Sequence, residues 1–330
     1  MSVSMSEKIA LGSFICTLMV ILRHSLNLQA FWGTEDIYNT CSFIELGFSK
    51  LTEIAVPFFF IISGFFFFRE SFYSKRYYQT LKKKVKTLVI PFLFWNIVGG
   101  IVLFILKKEE FGSSISEGVM NLLLSKWYGP LWYVRNLLIM MIAVPLYGWI
   151  FNVNKDWLYI LILSSLFLWW YPVDCAWWSS EGWLFFILGG MLQHRQKILS
   201  IEIPFVVVIL MICLWASLCF FRPVWSMELN KLTTLLGVFT FWQILNKLGQ
   251  NIVRFMGIFV SYSFFIYVNH FWLVKGMKVY LASLFPQDES VALIAYWGLP
   301  IITLGILLWI GMMWKRVHIQ SFLLVTGGRG

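Results

Sequence analysis

The sequence predicts an all-α fold, a polytopic membrane helical bundle of about ten transmembrane helices with both termini cytoplasmic. Three observations predict it. The 330 residues are 59% hydrophobic and only 13% charged, with a mean hydropathy of +0.76, whereas soluble domains are about 45–50% apolar and about 25% charged. The apolar residues gather into runs close to the about 20 residues a helix needs to cross hydrocarbon. Charge is sorted around those runs, basic residues to one side and acidic residues to the other.

The runs fall at 9–28, 51–68, 87–106, 129–152, 157–173, 182–193, 203–221, 232–246, 255–274 and 291–314. Spans of this kind occupy about 200 residues, which leaves too little chain for a separate soluble domain. A single integral-membrane domain over residues 1–330 is therefore expected, with its chemistry in the bundle or on its loops. Disorder, a collagen-like chain and a disulfide-stapled secreted module are excluded by the same composition. The first run lacks a small-residue cleavage site and is long enough to span, so it reads as a retained anchor.

With the N-terminus inside, most Lys and Arg residues outside the spans face the cytoplasm, and most of the 16 acidic residues fall in or beside outer segments. The densest basic stretch follows the second span and contains Arg69, Lys75, Arg76, Lys82, Lys83, Lys84 and Lys86. Because the net charge of +10 sits at span ends, it fixes orientation and does not point to nucleic acid. The 18 Trp and 13 Tyr cluster near the same ends, as interfacial aromatics do. Pro57, Pro91, Pro145, Pro204 and Pro300 kink or start spans. The five cysteines form no CxxC pair, so no metal site is expected; Cys41 and Cys175 fall in outer loops, where a pairing is open.

Polar groups inside the spans are expensive, about 2.5–3.5 kcal/mol for a charge at the bilayer centre even on the gentlest scale. His24 lies in the outer part of the first span, and helical spacing places Ser13, Thr17 and Asn27 near its face, with Arg23 about 100° away. It serves either proton chemistry or a packing hydrogen bond between helices. The second span ends in the small pair Ser63-Gly64, which permits close helix approach. The basic loop after it either holds the phosphates of an anionic cytosolic substrate or lies on anionic membrane lipids, and Arg69 is the residue best placed to reach a cavity. Arg135, beside Trp132 and Asn136, either snorkels to the interface or faces the bundle as a site element. His270 lies in the ninth span with Tyr267 and Asn269 close by, and has the same two readings as His24. His194 and His318 follow spans and are read as loop histidines.

Taken in order, five segments resemble the acyltransferase 3 family of bacterial multi-spanning O-acyltransferases. They are Val20-Ile-Leu-Arg-His-Ser25, Pro57-Phe-Phe-Phe-Ile-Ile-Ser-Gly-Phe65 with Arg69 after it, the basic run into Leu88-Val-Ile-Pro-Phe-Leu-Phe-Trp-Asn96, Gly129-Pro-Leu-Trp-Tyr133, and Ser261-Tyr-Ser-Phe-Phe-Ile-Tyr-Val-Asn-His270. The pattern covers nearly the whole chain. Two positions depart from it: Ser13 and Phe72 stand where members often carry arginines, and Lys75 or Arg76 is the nearest replacement for the second.

The resemblance implies a multi-pass protein of the inner (plasma) membrane that moves an acyl group, acetyl foremost, from acyl-CoA to a hydroxyl of a cell-surface or lipid-linked glycan. Acyl-CoA would be a co-substrate, with no bound cofactor and no metal. On this reading His24 is the catalytic base or a transient acyl carrier, and the sequence leaves both open. Arg69 and Arg76 would meet the donor's phosphates, and Arg135 and His270 the oxyanion or the acceptor. The alternative from the residues alone is a transporter or flippase of a glycan or lipid precursor, because polar groups in a kinked bundle also line substrate pathways.

Overall fold

A computed structural model describes residues 4–34, 38–68, 74–106, 114–153, 155–175, 177–220 and 226–328. The fold is all-α: among the described residues the one β-pairing is an isolated bridge between Cys175 and Trp178. Among the described residues, five helical stretches are long and apolar enough to cross a membrane, namely Met5–Trp32, Thr40–Phe67, Tyr77–Ile105, Gly129–Tyr147 and Glu289–Val317. Asp156–Trp170 and Phe205–Phe220 are apolar but shorter.

The expected spans that differ do so for visible reasons. The run 182–193 lies in Ser180–His194, only 15 residues long. The run 232–246 lies in Met227–Lys247, whose N-terminal half carries Asn230, Lys231, Thr233 and Thr234 and dilutes its apolar character. The run 255–274 is divided among Gln250–Val260, Ser263–Tyr267 and His270–Leu284. Helix also begins earlier than expected before the second span, at Thr40, in a stretch read from sequence as an outer loop.

The chain folds as two compact units. The first comprises Met1–Phe58 and Ile201–Met313. Its leading helix, Met5–His24, is started by Ser4: the Ser4 hydroxyl accepts from the Glu7 amide and the Glu7 carboxylate accepts from the Ser4 amide, at 3.3 and 2.8 Å. Around this helix pack Thr40–Thr52, Gln250–Val260, Ser263–Tyr267 and His270–Leu284. Phe205–Phe220 packs in turn on Thr40–Thr52 and Met227–Lys247.

The second unit comprises Phe59–Ser200 and Trp314–Gly330. The helix Ala55–Phe67 enters it at Phe59 and crosses Ser180–His194 at glycines: Gly64 faces the backbone of Phe186, and Gly189 faces the backbone of Ile61, with no space for a side chain at either. The small pair Ser63-Gly64 therefore does what its sequence suggests. The Tyr133 hydroxyl donates to the Phe59 carbonyl at 3.1 Å and so accepts from Ser63 at 2.7 Å, joining two of the motif segments. The basic stretch forms a helix, Ser74–Lys84, that runs through a wide turn, Val85–Val89, into the apolar helix Ile90–Ile105. Ile97, Ile101, Phe104 and Ile105 line one exposed stripe of that helix, the face a membrane protein gives to lipid.

Candidate active site

The site is built where two helices of the first unit are interrupted. Met5–His24 stops because Ser25 and Asn27 are poor helix formers that bond locally: the Ser25 hydroxyl donates back to the Ile21 carbonyl at 3.0 Å. The chain resumes helix only at Leu28. The second interruption lies at Val268 and Asn269, where the Asn269 amide donates to the Phe265 carbonyl at 2.8 Å and His270 begins the next helix. Both breaks are covered by protein: Ser25, Asn27 and Val268 are buried.

The breaks bring His24 and His270 together. Their ring centroids are 5.1 Å apart with the planes inclined by 45°, and Phe271 stands edge-on to His24 at 5.3 Å. His24 is half-buried and His270 fully buried. The His270 Nδ1 lies 2.7 Å from the Tyr267 carbonyl oxygen, which can only accept, so Nδ1 carries a hydrogen. In the neutral ring this leaves Nε2 with a lone pair, and Nε2 is buried without a hydrogen-bond partner among the described residues. An unpaired buried acceptor costs about 1–3 kcal/mol.

The other expected residues fall elsewhere. The Ser13 and Thr17 hydroxyls donate to the Ile9 and Ser13 carbonyls of their own helix. Arg23 points away from the site: its guanidinium bonds the Ser49 carbonyl and hydroxyl, both at 3.0 Å, and the Glu53 carboxylate at 3.2 Å. Arg135 belongs to the second unit, in Trp132–Tyr147, where it donates to the Leu124 carbonyl and keeps a buried Nε without a partner among the described residues. Asn136, beside it, turns its amide back to the Trp132 carbonyl at 3.0 Å. Arg69 lies outside the described residues, and so does the side chain of Arg76, whose backbone is in Ser74–Lys84. Cys41 and Cys175 are free thiols, Cys41 buried and donating to Glu45 at 3.2 Å. His194 stacks on Phe151, and His318 accepts from the Ser321 amide, so each serves its own surroundings.

Sequence reasoning missed Lys278 and Glu45. The Lys278 ammonium donates to the His24 and Leu26 carbonyls at 3.0 and 2.8 Å. Glu45, with no exposed surface, accepts from the Asn27 backbone amide at 2.7 Å and from its side-chain amide at 3.3 Å. Lys278 carried a signal, one of two lysines, with Lys275, in a largely apolar helix; Glu45 was hidden in a segment read as a loop.

Comparison with known proteins agrees with this architecture. The family model described as an acyltransferase domain matches residues 14–314. The chain belongs to the acyltransferase 3 family. As an acyltransferase 3 protein it is a membrane acyltransferase, and the match runs from within the His24 helix to the end of the last long helix. A curated relative, the succinoglycan biosynthesis protein ExoH of Rhizobium meliloti (strain 1021), is 22% identical over 317 residues, covering 85% of this chain and 80% of the relative. No solved structure matches.

Proposed function

We propose that the protein transfers an acyl group, acetyl, from cytosolic acyl-CoA to a hydroxyl of a cell-surface or lipid-linked glycan at the inner (plasma) membrane. The observation that carries the proposal is the juxtaposition of two imidazoles, 5.1 Å between ring centroids, where two interrupted helices meet. Family membership supplies the reaction class. The relative's role in succinoglycan biosynthesis supports a polysaccharide acceptor.

A sugar hydroxyl is a poor nucleophile near neutral pH, so its proton must leave as it attacks the thioester carbonyl. His24, half-buried, takes that proton. The new C–O bond forms, the C–S bond breaks, and the proton passes from His24 to the departing thiolate. His270 offers its Nε2 lone pair to hold the acceptor in line, an orientation fixed by the bond from Nδ1 to Tyr267. Arg69 and Arg76 hold the donor's phosphates through paired charge. General-base catalysis of this kind contributes about 10²–10⁴-fold.

Interrupted helices also occur in transporters, which keeps a flippase as the second reading. Purified protein incubated with radiolabelled acetyl-CoA and extracted cell-envelope glycan separates the two. Covalent label in the glycan supports the transferase, and movement of unlabelled glycan across vesicles without label supports the flippase.

A further inference from the structure

We propose that Lys278 and Glu45 are positioning residues for His24, holding the chain break that sets its imidazole against His270. The kinetic side of this proposal rests on the acyl-transfer reading above.

A helix that ends leaves its last carbonyls without amide donors, and at this break, where Ser25 and Asn27 are fully buried, partners must come from the protein. The segment 24–27 solves this with charged side chains from other helices. The Lys278 ammonium takes the His24 and Leu26 carbonyls at 3.0 and 2.8 Å. Glu45 takes the Asn27 backbone amide at 2.7 Å, and the Asn27 side chain continues to the Ala292 carbonyl at 2.8 Å. Three helices, Thr40–Thr52, His270–Leu284 and Glu289–Val317, thus hold His24, Leu26 and Asn27.

The arrangement does more than satisfy polar groups. Lys278 and His270 lie on one helix, two turns apart, a spacing that keeps both near one face. The element that carries His270 therefore also clamps the carbonyl of His24, so the separation of the two rings is set by one rigid part. Glu45 fixes the far side of the break, and Cys41 orients the carboxylate with a thiol hydrogen bond at 3.2 Å. A lysine and a glutamate are costly inside a bundle. An apolar residue would pack as well but would leave the break free to shift.

The test uses the full-length protein in detergent, with kcat and the acetyl-CoA KM measured separately and with diethyl pyrocarbonate labelling of His24 read by mass spectrometry. Positioning predicts that Lys278→Met lowers kcat by about tenfold or more with KM within about twofold, since a displacement of 1 Å costs up to about 10²-fold. His24 should also label several times faster than in the unsubstituted protein. Lys278→Arg, which keeps charge and donors, should recover most of kcat and the original labelling rate. Lys278→Met with kcat and labelling like the unsubstituted protein would overturn the proposal, as would a well-folded Lys278→Arg as impaired as Lys278→Met. Should Lys278→Met not fold, Glu45→Gln decides: a fall in kcat with faster labelling supports the clamp, and unchanged values refute it. If the unsubstituted protein moves no acetyl group at all, the acyl-transfer reading fails, while the labelling rates still judge the clamp.

Discussion

Gly64→Ala adds one methyl where Ala55–Phe67 crosses Ser180–His194. A Cβ at this position would lie 2.9 Å from the Phe186 carbonyl carbon and 3.2 Å from the Gly190 amide nitrogen, with the Phe186 carbonyl oxygen closer still. Carbon atoms rest at about 3.5–4.0 Å, and the obstacles are backbone, so no rotamer change relieves the clash. The helices must part by roughly 1 Å to restore ordinary contact. That movement loosens Phe67, Phe68 and Phe186, none more than 2% exposed, and stretches the 2.7 Å bond from Ser63 to Tyr133. Overpacking of this kind costs about 1–3 kcal/mol, a fall in melting midpoint of about 3–10 °C for units of this size. Gly305→Ala is the control, because nothing lies within 4 Å of a Cβ there and alanine favours helix. Thermal unfolding of both variants in the same mild detergent, followed by intrinsic tryptophan fluorescence, checks the reasoning. A Gly64→Ala protein that melts together with Gly305→Ala and the unsubstituted chain would refute it.

Three further outcomes are expected. Trp95→Phe removes the indole donor to the Val325 carbonyl, 2.9 Å away, and should cost about 1–3 kcal/mol by leaving that carbonyl unpaired, measured by chemical unfolding in detergent. His270→Phe keeps a ring in the buried site but loses the Nε2 acceptor, so glycan acylation should fall by about tenfold or more with the melting midpoint little changed. Chelation by EDTA should leave acylation unchanged, since the described residues contain no group of three His, Cys, Asp or Glu able to hold a metal; a chelator-sensitive rate would contradict this.

The physical signals in the sequence were strongest where one residue type has few uses. Ser63 and Gly64 announced a close crossing, and the structure places backbone against Gly64. His24 and His270 stood out singly because imidazole is rare within apolar runs, but their pairing could not be read from spacing. It depends on two helix interruptions, at Ser25–Asn27 and Val268–Asn269, and spacing along the chain does not say which interrupted segments meet. The second interruption also helps divide the apolar run 255–274 among three shorter helices. Glu45 escaped notice because acidic residues near a span end read as loop residues, whereas helix Thr40–Thr52 carries it inside and Asn27 pairs with it.

The measurement that bears most directly on the whole account is transfer of radiolabel from acetyl-CoA to envelope glycan by the purified protein and by its His24→Ala variant, with folding of both followed by size-exclusion chromatography. The account predicts labelled glycan from the first and loss of about 10²-fold or more from a properly folded second. Equal labelling by the two proteins would contradict it.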